Sequence, residues 1–436
     1  MQKTQSDGAA ATAETAAPAT VGAAGDNLRL DGERLWQSIH EMAEIGPGVA
    51  GGNNRQALSD ADGEGRALFR RWCEGTGLAV GVDRMGTMYA RRDGTDPDAL
   101  PVCMGSHLDT QPTGGRYDGI LGVLGALEVM RTIEALGIRT RRPILAINWT
   151  NEEGTRFAPP MMASGVYAGL YDAEWAYGRT DAAGLRFGDE LSRIGWMGEE
   201  EVGARRMHAF FELHIEQGPI LEAEGIDIGV VTGGQGLRWV QCTLTGRESH
   251  AGSTPMTMRR DAGLTMAHLA SLVNRIAMDA QPDAVGTVGH MEVHPNSRNV
   301  VPGRAVFTAD LRSPDLQTLQ RMEARLIEEG AALCDAAGVE MTTELLSSFD
   351  PPVFDAGCVA AVRRAAERLG YSHRDIVSGA GHDACWINTI VPSGMIFCPC
   401  VGGLSHNEAE EITLDWAAKG ANVLMHAVLE AAEIVA

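Results

Sequence analysis

At 436 residues the chain is longer than one hydrophobic core usually serves, and its 44% apolar content is enough for two domains. Only 36 basic against 58 acidic residues leave a net charge of −22, which repels phosphate backbones and anionic lipid and so argues against nucleic acid and membrane surfaces as partners. Eight scattered cysteines, no apolar run of roughly 18 residues and no targeting pattern in the Ala/Thr/Gly-rich start lead us to expect reduced thiols in a cytoplasmic protein.

Residues 1–26 read as a flexible tail. Leu30, Leu35, Ile39 and Met42 recur at helical spacing within 28–45, and a second helix at 63–75 carries Phe69 and Trp72 beyond a turn-rich loop at 46–62. A strand-like alternation follows at 80–91. Residues 101–105 (PVCMG) form a short buried strand whose C-terminal end delivers His107 and Asp109, Asp118 opens an apolar helix at 120–136, and 143–150 (PILAINWT) ends in Asn151-Glu152-Glu153-Gly154. Strand, helix, strand is a parallel crossover unit. In open α/β sheets ligands bind beyond the carboxyl ends of the strands, where His107, Asp118 and the Glu pair would converge.

Residues 157–170 read as a long loop and 175–201 as irregular. The apolar stretch 209–215 (AFFELHI) is a further buried strand, ending at His214. From Gly234 the pattern changes: strands at 239–246, 286–294, 305–312 and 339–345 alternate with helices at 259–278 and 315–337, making a self-contained α+β unit. After residue 348 come a helix at 358–369, a Gly-rich turn at 378–383 (SGAGHD), a strand at 394–398, the segment GGLSHNE with His406, and a helix from Leu414. Cys398 and Cys400 flank a proline on this strand and read as buried structural thiols. The fold class is α/β: a mixed, largely parallel sheet flanked by helices, built from 27–232 and 348–436 and interrupted at 233–347 by the smaller α+β domain.

His107, Asp118, Glu153, His214 and His406 suit zinc, manganese, cobalt or nickel, and five ligands with one bridging carboxylate would hold two ions. Each histidine alone is more often a hydrogen-bonded or surface residue, and it is their joint occurrence at strand ends that favours a metal site. Asp109 is placed to accept the second imidazole N–H of His107. Adjacent glutamates point differently at a strand end, so one can bind metal while the other stays free as a general base. A metal-activated water with a carboxylate to take its proton is a hydrolase design.

The segments GSHLDT, GGRYDGILGV, NEEGTRF, ELHIEQGPILE, SHAGSTPM, NSRNVVPG, SGAGHDA and LSHNEAE together resemble the metal-dependent amidohydrolases that cleave N-carbamoyl amino acids. These are L-carbamoylases, β-ureidopropionases and allantoate amidohydrolases, within the wider M20-type peptidase and aminoacylase superfamily. The resemblance implies two divalent ions per chain, held by His107, Asp118 as the bridge, Glu153, His214 and His406, with Glu152 as the base. It implies that the inserted domain is a lid through which a homodimer forms. His250 then resembles an oxyanion-stabilising histidine, Asn299 and Arg312 the pair that holds the substrate carboxylate, and Gln217, Gly381 and His382 further substrate contacts. Without the resemblance, His250 reads equally as closing a hairpin and Arg312 as pairing with Asp310 or Asp315. Folding the hairpin between Asn299 and Arg312 is expected to bring both to one anion. Gln111 stands where the family commonly has a small apolar residue. The implied substrate is an N-carbamoyl-L-α-amino acid or N-carbamoyl-β-alanine, with allantoate or an N-acyl or peptide bond as alternatives.

Overall fold

The computed structural model describes residues 27–435. The tail expected at 1–26 lies outside them. An eight-stranded mixed sheet runs in the order Ala79–Val82, Met88–Arg92, Ile144–Trp149, Val102–His107, Ala209–Ile215, Ser393–Cys398, Ile228–Gly234, His373–Ser378. Its four central strands, Ile144–Trp149, Val102–His107, Ala209–Ile215 and Ser393–Cys398, are mutually parallel and buried along their whole length. Because they are parallel, their carboxyl ends share one edge of the sheet, and that edge builds the site.

Covering elements explain why these strands are apolar throughout rather than alternating. The helix Ile120–Ala135 is buried on nearly every side, as its unbroken ILGVLGAL start requires, and packs with Leu414–Ala432 and Gly32–Ala43 over one face. The Gly32–Ala43 helix is capped by the Asp31 carboxylate, which accepts the Arg34 N–H, so it starts four residues later than the apolar spacing predicts.

A second, antiparallel sheet has the order Val285–His294, Arg304–Ser313, Gly236–Thr245, Glu340–Phe349. The helices Ala262–Asp279 and Leu316–Ala337 cover one face around a separate core that includes Val240, Leu244, Leu269, Phe307, Leu311 and Leu326. The breaks expected at 232/233 and 347/348 both fall inside strands: Gly234 still pairs with Ser378, and Ser348 with Arg238. The changeovers lie at Gln235 and Asp350 instead.

Two strands of the large sheet, Ile228–Gly234 and His373–Ser378, were not expected, and 80–91 is a hairpin of two strands around Asp83. Short helices at Met162–Tyr167, Ala173–Tyr177 and Phe187–Arg193 occupy stretches read as loop or irregular. All eight cysteines are free and buried, as expected of Cys398 and Cys400. Among the described residues no helix is long and apolar enough to cross a membrane.

Candidate active site

His107 ends its strand, and its Nδ1–H donates to the backbone carbonyl of Asp109 at 2.9 Å. His214, on the neighbouring strand, donates its Nδ1–H to the carbonyl of Ile215 at 2.9 Å. Both rings are buried and, with the proton fixed on Nδ1 in the neutral form, both turn the Nε2 lone pair toward Asp118. Asp118 is presented by a tight turn, in which Ile120 N–H reaches the Asp118 carbonyl at 2.8 Å across Gly119. That turn needs φ of +72° at Gly119, and a Cβ there would stand 2.3 Å from His107 Cε1. Only glycine fits.

The distances define two ligand sets with one shared carboxylate. Asp118 Oδ1 lies 3.1 Å from His214 Nε2 and 3.6 Å from His107 Nε2. Asp118 Oδ2 lies 3.4 Å from His406 Nε2, which is 3.6 Å from Glu153 Oε2. Tetrahedral ligands each about 2.1 Å from a central ion stand roughly 3.4 Å from one another, so both sets have the spacing a transition metal needs. His107 Nε2 is buried with no hydrogen-bond partner, an orphan that a cation would satisfy. The donor chemistry therefore fits two divalent ions, one in a buried His107/Asp118/His214 set and one in a more open Asp118/Glu153/His406 set. Glu152 Oε2, 3.5 Å from His107 Nε2, belongs to neither set and remains free beside them.

Electrostatics without a cation show how strongly the cluster demands one. Burial would raise Asp118, but His214, His107 and His406 hold it well below the usual carboxylate range. Burial would lower His107, but Glu152, Asp118 and Asp109 hold it well above. Burial pushes Glu152 well above its ordinary value and Glu153 up to about 7, and the Asp118 contact raises His406 to about 9. The cluster's carboxylates thus favour positive charge at the imidazoles, and a divalent cation would compete with protons for the same nitrogens.

Some expected contacts take a different form. The Asp109 carboxylate does not serve the His107 imidazole, from which it is 4.0 Å away; it accepts the backbone N–H groups of Glu152 (3.3 Å) and Glu153 (3.2 Å), while its carbonyl orients the ring. Backbone direction at the strand end puts the carbonyl, not the side chain, against Nδ1. Asn299 and Arg312 are not brought to one anion within the chain. His294 pairs with Arg304 and Val285 with Arg312, so the connection carrying Asn299 sits at one end of the hairpin and Arg312 at the other, eight residues or about 27 Å away. His250 pairs with Val300, and Ala251 N–H donates to the Asn299 carbonyl at 2.9 Å, so His250 and Asn299 share that far end. The exposed His250 ring accepts Gly252 and Ser253 N–H on Nδ1, leaving Nε2–H as an outward donor.

Arg312 instead lines a cleft of about 720 Å³ with Gln217, Ser405 and His406. Its guanidinium is held by Asp310, at 3.0 and 2.9 Å, and by the Gly379 carbonyl at 3.3 Å, so the Asp310 pairing is present at the cleft wall. Gln217 Nε2–H donates to Asp118 Oδ2 at 2.7 Å. His382 stacks edge-on against His214 with ring centroids 4.5 Å apart, and burial and His214 together keep it neutral; Gly381 abuts Met161.

Several residues of the site were not singled out. Gln111, noted only as a departure from the family and expected to touch no ligand, does touch one: it donates to Glu153 Oε2 at 2.6 Å. Glu212, buried in AFFELHI, accepts Ser106 Oγ–H (2.6 Å) and Ala384 N–H (2.8 Å) and braces the floor beneath His107 and His214. Glu410 accepts the N–H groups of Tyr117 and Asp118. A signal existed for Glu212: an acid two residues before His214 in an otherwise apolar strand shares its face and needs a buried partner.

A profile of the peptidase family M20/M25/M40 matches residues 103–430, three quarters of the chain. The chain belongs to this family. Across 413 residues this M20 protein is 63% identical to an N-carbamoyl-L-amino-acid amidohydrolase of Rhizobium meliloti, covering 95% of this chain and 99% of the relative. A ureidoglycolate hydrolase of Arabidopsis thaliana is 32% identical over 409 residues, covering 91% and 86%. Among solved structures, a hydantoinase/carbamoylase-family amidase from Burkholderia multivorans superposes with a TM-score of 0.90 at 54% identity, covering 93% of this chain and 98% of that one. The family is metal-dependent and hydrolytic, in keeping with the two ligand sets around Asp118.

Proposed function

We propose that this M20 enzyme hydrolyses N-carbamoyl-L-amino acids to the free amino acid, ammonia and carbon dioxide, using two divalent ions per chain. The observation that carries the reading is Asp118 shared between two ligand sets, with Glu152 left unligated 3.5 Å from His107, in a chain 63% identical over its length to a protein of that activity. His107, Asp118 and His214 would hold one ion and Asp118, Glu153 and His406 the other. When bound, the ions supply Lewis-acid polarisation of the ureido carbonyl and lower the pKa of water at the site.

Glu152 takes the proton of the attacking water and returns it to the departing ammonia; the carbamate left on the amino acid then loses carbon dioxide. Arg312, at the cleft wall, is the group suited to the substrate carboxylate, because its fork matches two oxygens. His250 offers Nε2–H to the developing oxyanion. Since His250 and Asn299 lie about 27 Å along the hairpin from Arg312, a small substrate held at Arg312 meets them from a second copy of the chain, and the reading therefore includes a homodimer joined through the α+β unit.

The test is ammonia release from N-carbamoyl-L-methionine, N-carbamoyl-L-phenylalanine, N-carbamoyl-β-alanine, ureidoglycolate and allantoate, with a dipeptide, whose cleavage frees no ammonia, followed by release of its amino acids. Highest kcat/KM on an N-carbamoyl-L-α-amino acid is expected. Turnover restricted to ureidoglycolate, the substrate named for the plant relative, or to dipeptides would replace this reading.

A further inference from the structure

The two ligand sets are built on unequal foundations. His107 and His214 sit on central strands, with Nδ1 anchored to backbone carbonyls. His406 sits on a loop with φ of +53°, its side chain 51% exposed, and among the described residues its Nδ1 has no hydrogen-bond partner. Its Nε2 lies 3.3 Å from the Gln217 amide, which reaches Asp118 from the cleft side, and the loop beneath it is held separately.

Glu410 is the group that holds the loop. It is buried, and one oxygen accepts two backbone N–H groups of the Asp118 turn, from Tyr117 at 3.0 Å and Asp118 at 3.1 Å. The other oxygen lies 2.8 Å from Ser405 Oγ, which is 3.0 Å from Asp118 Oδ2 and belongs to the residue preceding His406. One carboxylate therefore ties the turn that presents the shared ligand to the loop that presents His406. Gly115 leaves the room: a Cβ there would fall 1.9 Å from Glu410 Oε1.

We propose that Glu410, acting through Ser405 and the Asp118 turn, is a positioning residue that sets occupancy of the Asp118/Glu153/His406 metal site without touching metal or substrate. This rests on the two-ion reading above. The buried set shares Asp118 but keeps the carbonyl anchors of His107 and His214, and is expected to lose less than the open set when the clasp is removed.

The experiment is equilibrium dialysis of the full chain against buffered free zinc or manganese, with bound metal counted by elemental analysis. Wild type should bind two ions per chain. Glu410→Ala should keep one at low free metal and need about 10–100-fold more to take the second, the usual cost of losing a group that supports a ligand. Glu410→Gln, whose amide oxygen can still accept both N–H groups, should be shifted less. Ser405→Ala, which cuts only the hydroxyl between Glu410 and Asp118, should shift the second ion in the same direction and serves if Glu410→Ala does not fold. A merely structural role would lower the melting temperature while leaving the two affinities in their wild-type ratio. Two ions in wild type with unchanged second-site affinity in Glu410→Ala, or in Ser405→Ala where Glu410→Ala does not fold, would overturn the proposal alone; a wild type that takes one ion or none would overturn the two-ion reading and this role with it.

Discussion

Replacing Gly119 by alanine separates metal-site geometry from backbone strain. The residue holds φ of +72° with ψ of −46° in the turn that presents Asp118, outside the left-handed helical well, a strained conformation that costs an L-residue about 1–3 kcal/mol. The added Cβ would stand 2.3 Å from His107 Cε1 and 2.4 Å from Nε2, whereas carbon contacts settle near 3.5 Å, so ring and turn must part by about 1 Å. A functional constellation tolerates roughly 0.5 Å. The ring cannot retreat without breaking the Nδ1 bond to the Asp109 carbonyl, and the turn cannot retreat without moving Asp118 from both ligand sets. Gly119→Ala is therefore expected to lose the buried ion, with affinity down by at least about 10–100-fold, and to lose turnover in parallel. Gly137→Ala is the control for a methyl added at positive φ without a clash: φ is +63° there, nothing lies within 4 Å of its Cβ, and it should keep full metal content. Elemental analysis after dialysis and a urea melt of both variants give the comparison. Wild-type metal content and activity in Gly119→Ala would refute the reasoning.

Glu152→Gln should keep both ions and lose about two to four orders of magnitude in kcat, whereas His214→Ala should lose metal; near-normal turnover in the first would remove Glu152 from the chemistry. Mixing Glu152→Gln chains with His250→Ala chains should restore turnover that neither has alone if the histidine acts across a dimer; no restoration, with exchange of chains verified, would place it in the same chain. Arg312→Lys should cost about 2–5 kcal/mol in kcat/KM on free N-carbamoyl amino acids and add little on substrates with the carboxylate blocked as an amide; equal loss on both would make Arg312 a tie to Asp310 and Gly379 only. Asp83 tests stability against pH. Burial raises it to about 6 although Met85 and Thr87 N–H groups and the Tyr89 hydroxyl donate to it. A raised folded pKa means stability present below the ordinary value is lost as pH climbs through 6, by about 2–3 kcal/mol. Asp83→Asn, whose oxygen can still accept both N–H groups, should flatten urea midpoints between pH 4 and 7; parallel profiles would refute this.

The central strands and long helices could be read from sequence because each is strongly apolar over its own length. That His107, Glu153, His214 and His406 gather around Asp118 could be read because all but Asp118 sit at or after the ends of strands that share one edge. What sequence could not supply was pairing and direction. Ile228–Gly234 (IGVVTGG) is too short and glycine-rich to stand out and is held antiparallel to Ser393–Cys398, while the polar His373–Ser378 (HRDIVS) is a strand only through its parallel register with Ile228–Gly234. Met162–Tyr167 is six residues long and opens on Met161 at φ of +52°, so tertiary contacts, not propensity, hold it. Spacing placed Asn299 near Arg312, but a ten-residue strand carries them apart. Residue type alone could not tell that Asp109 would serve His107 with its carbonyl and the Glu pair with its carboxylate.

These placements together explain why one site combines permanence with access. Ligands on central strands have no freedom to move: their neighbours on both sides are buried strands, and Glu212 and the Asp109 and Ile215 carbonyls fix what lies beneath them. On the two-ion reading such rigidity suits an ion that is held permanently, while a substrate would enter from the cleft side of the sheet edge. Glu153 and His406 supply the opposite property, because they come from a strand-end turn and a loop that also line or border the cleft with Arg312. Asp118 joins the two regimes, one oxygen toward the floor and the other toward the cleft. Its own placement in a glycine turn, rather than on a strand, is what lets one carboxylate face both ways. The fold thus needs its irregular backbone at the one residue that both ligand sets share.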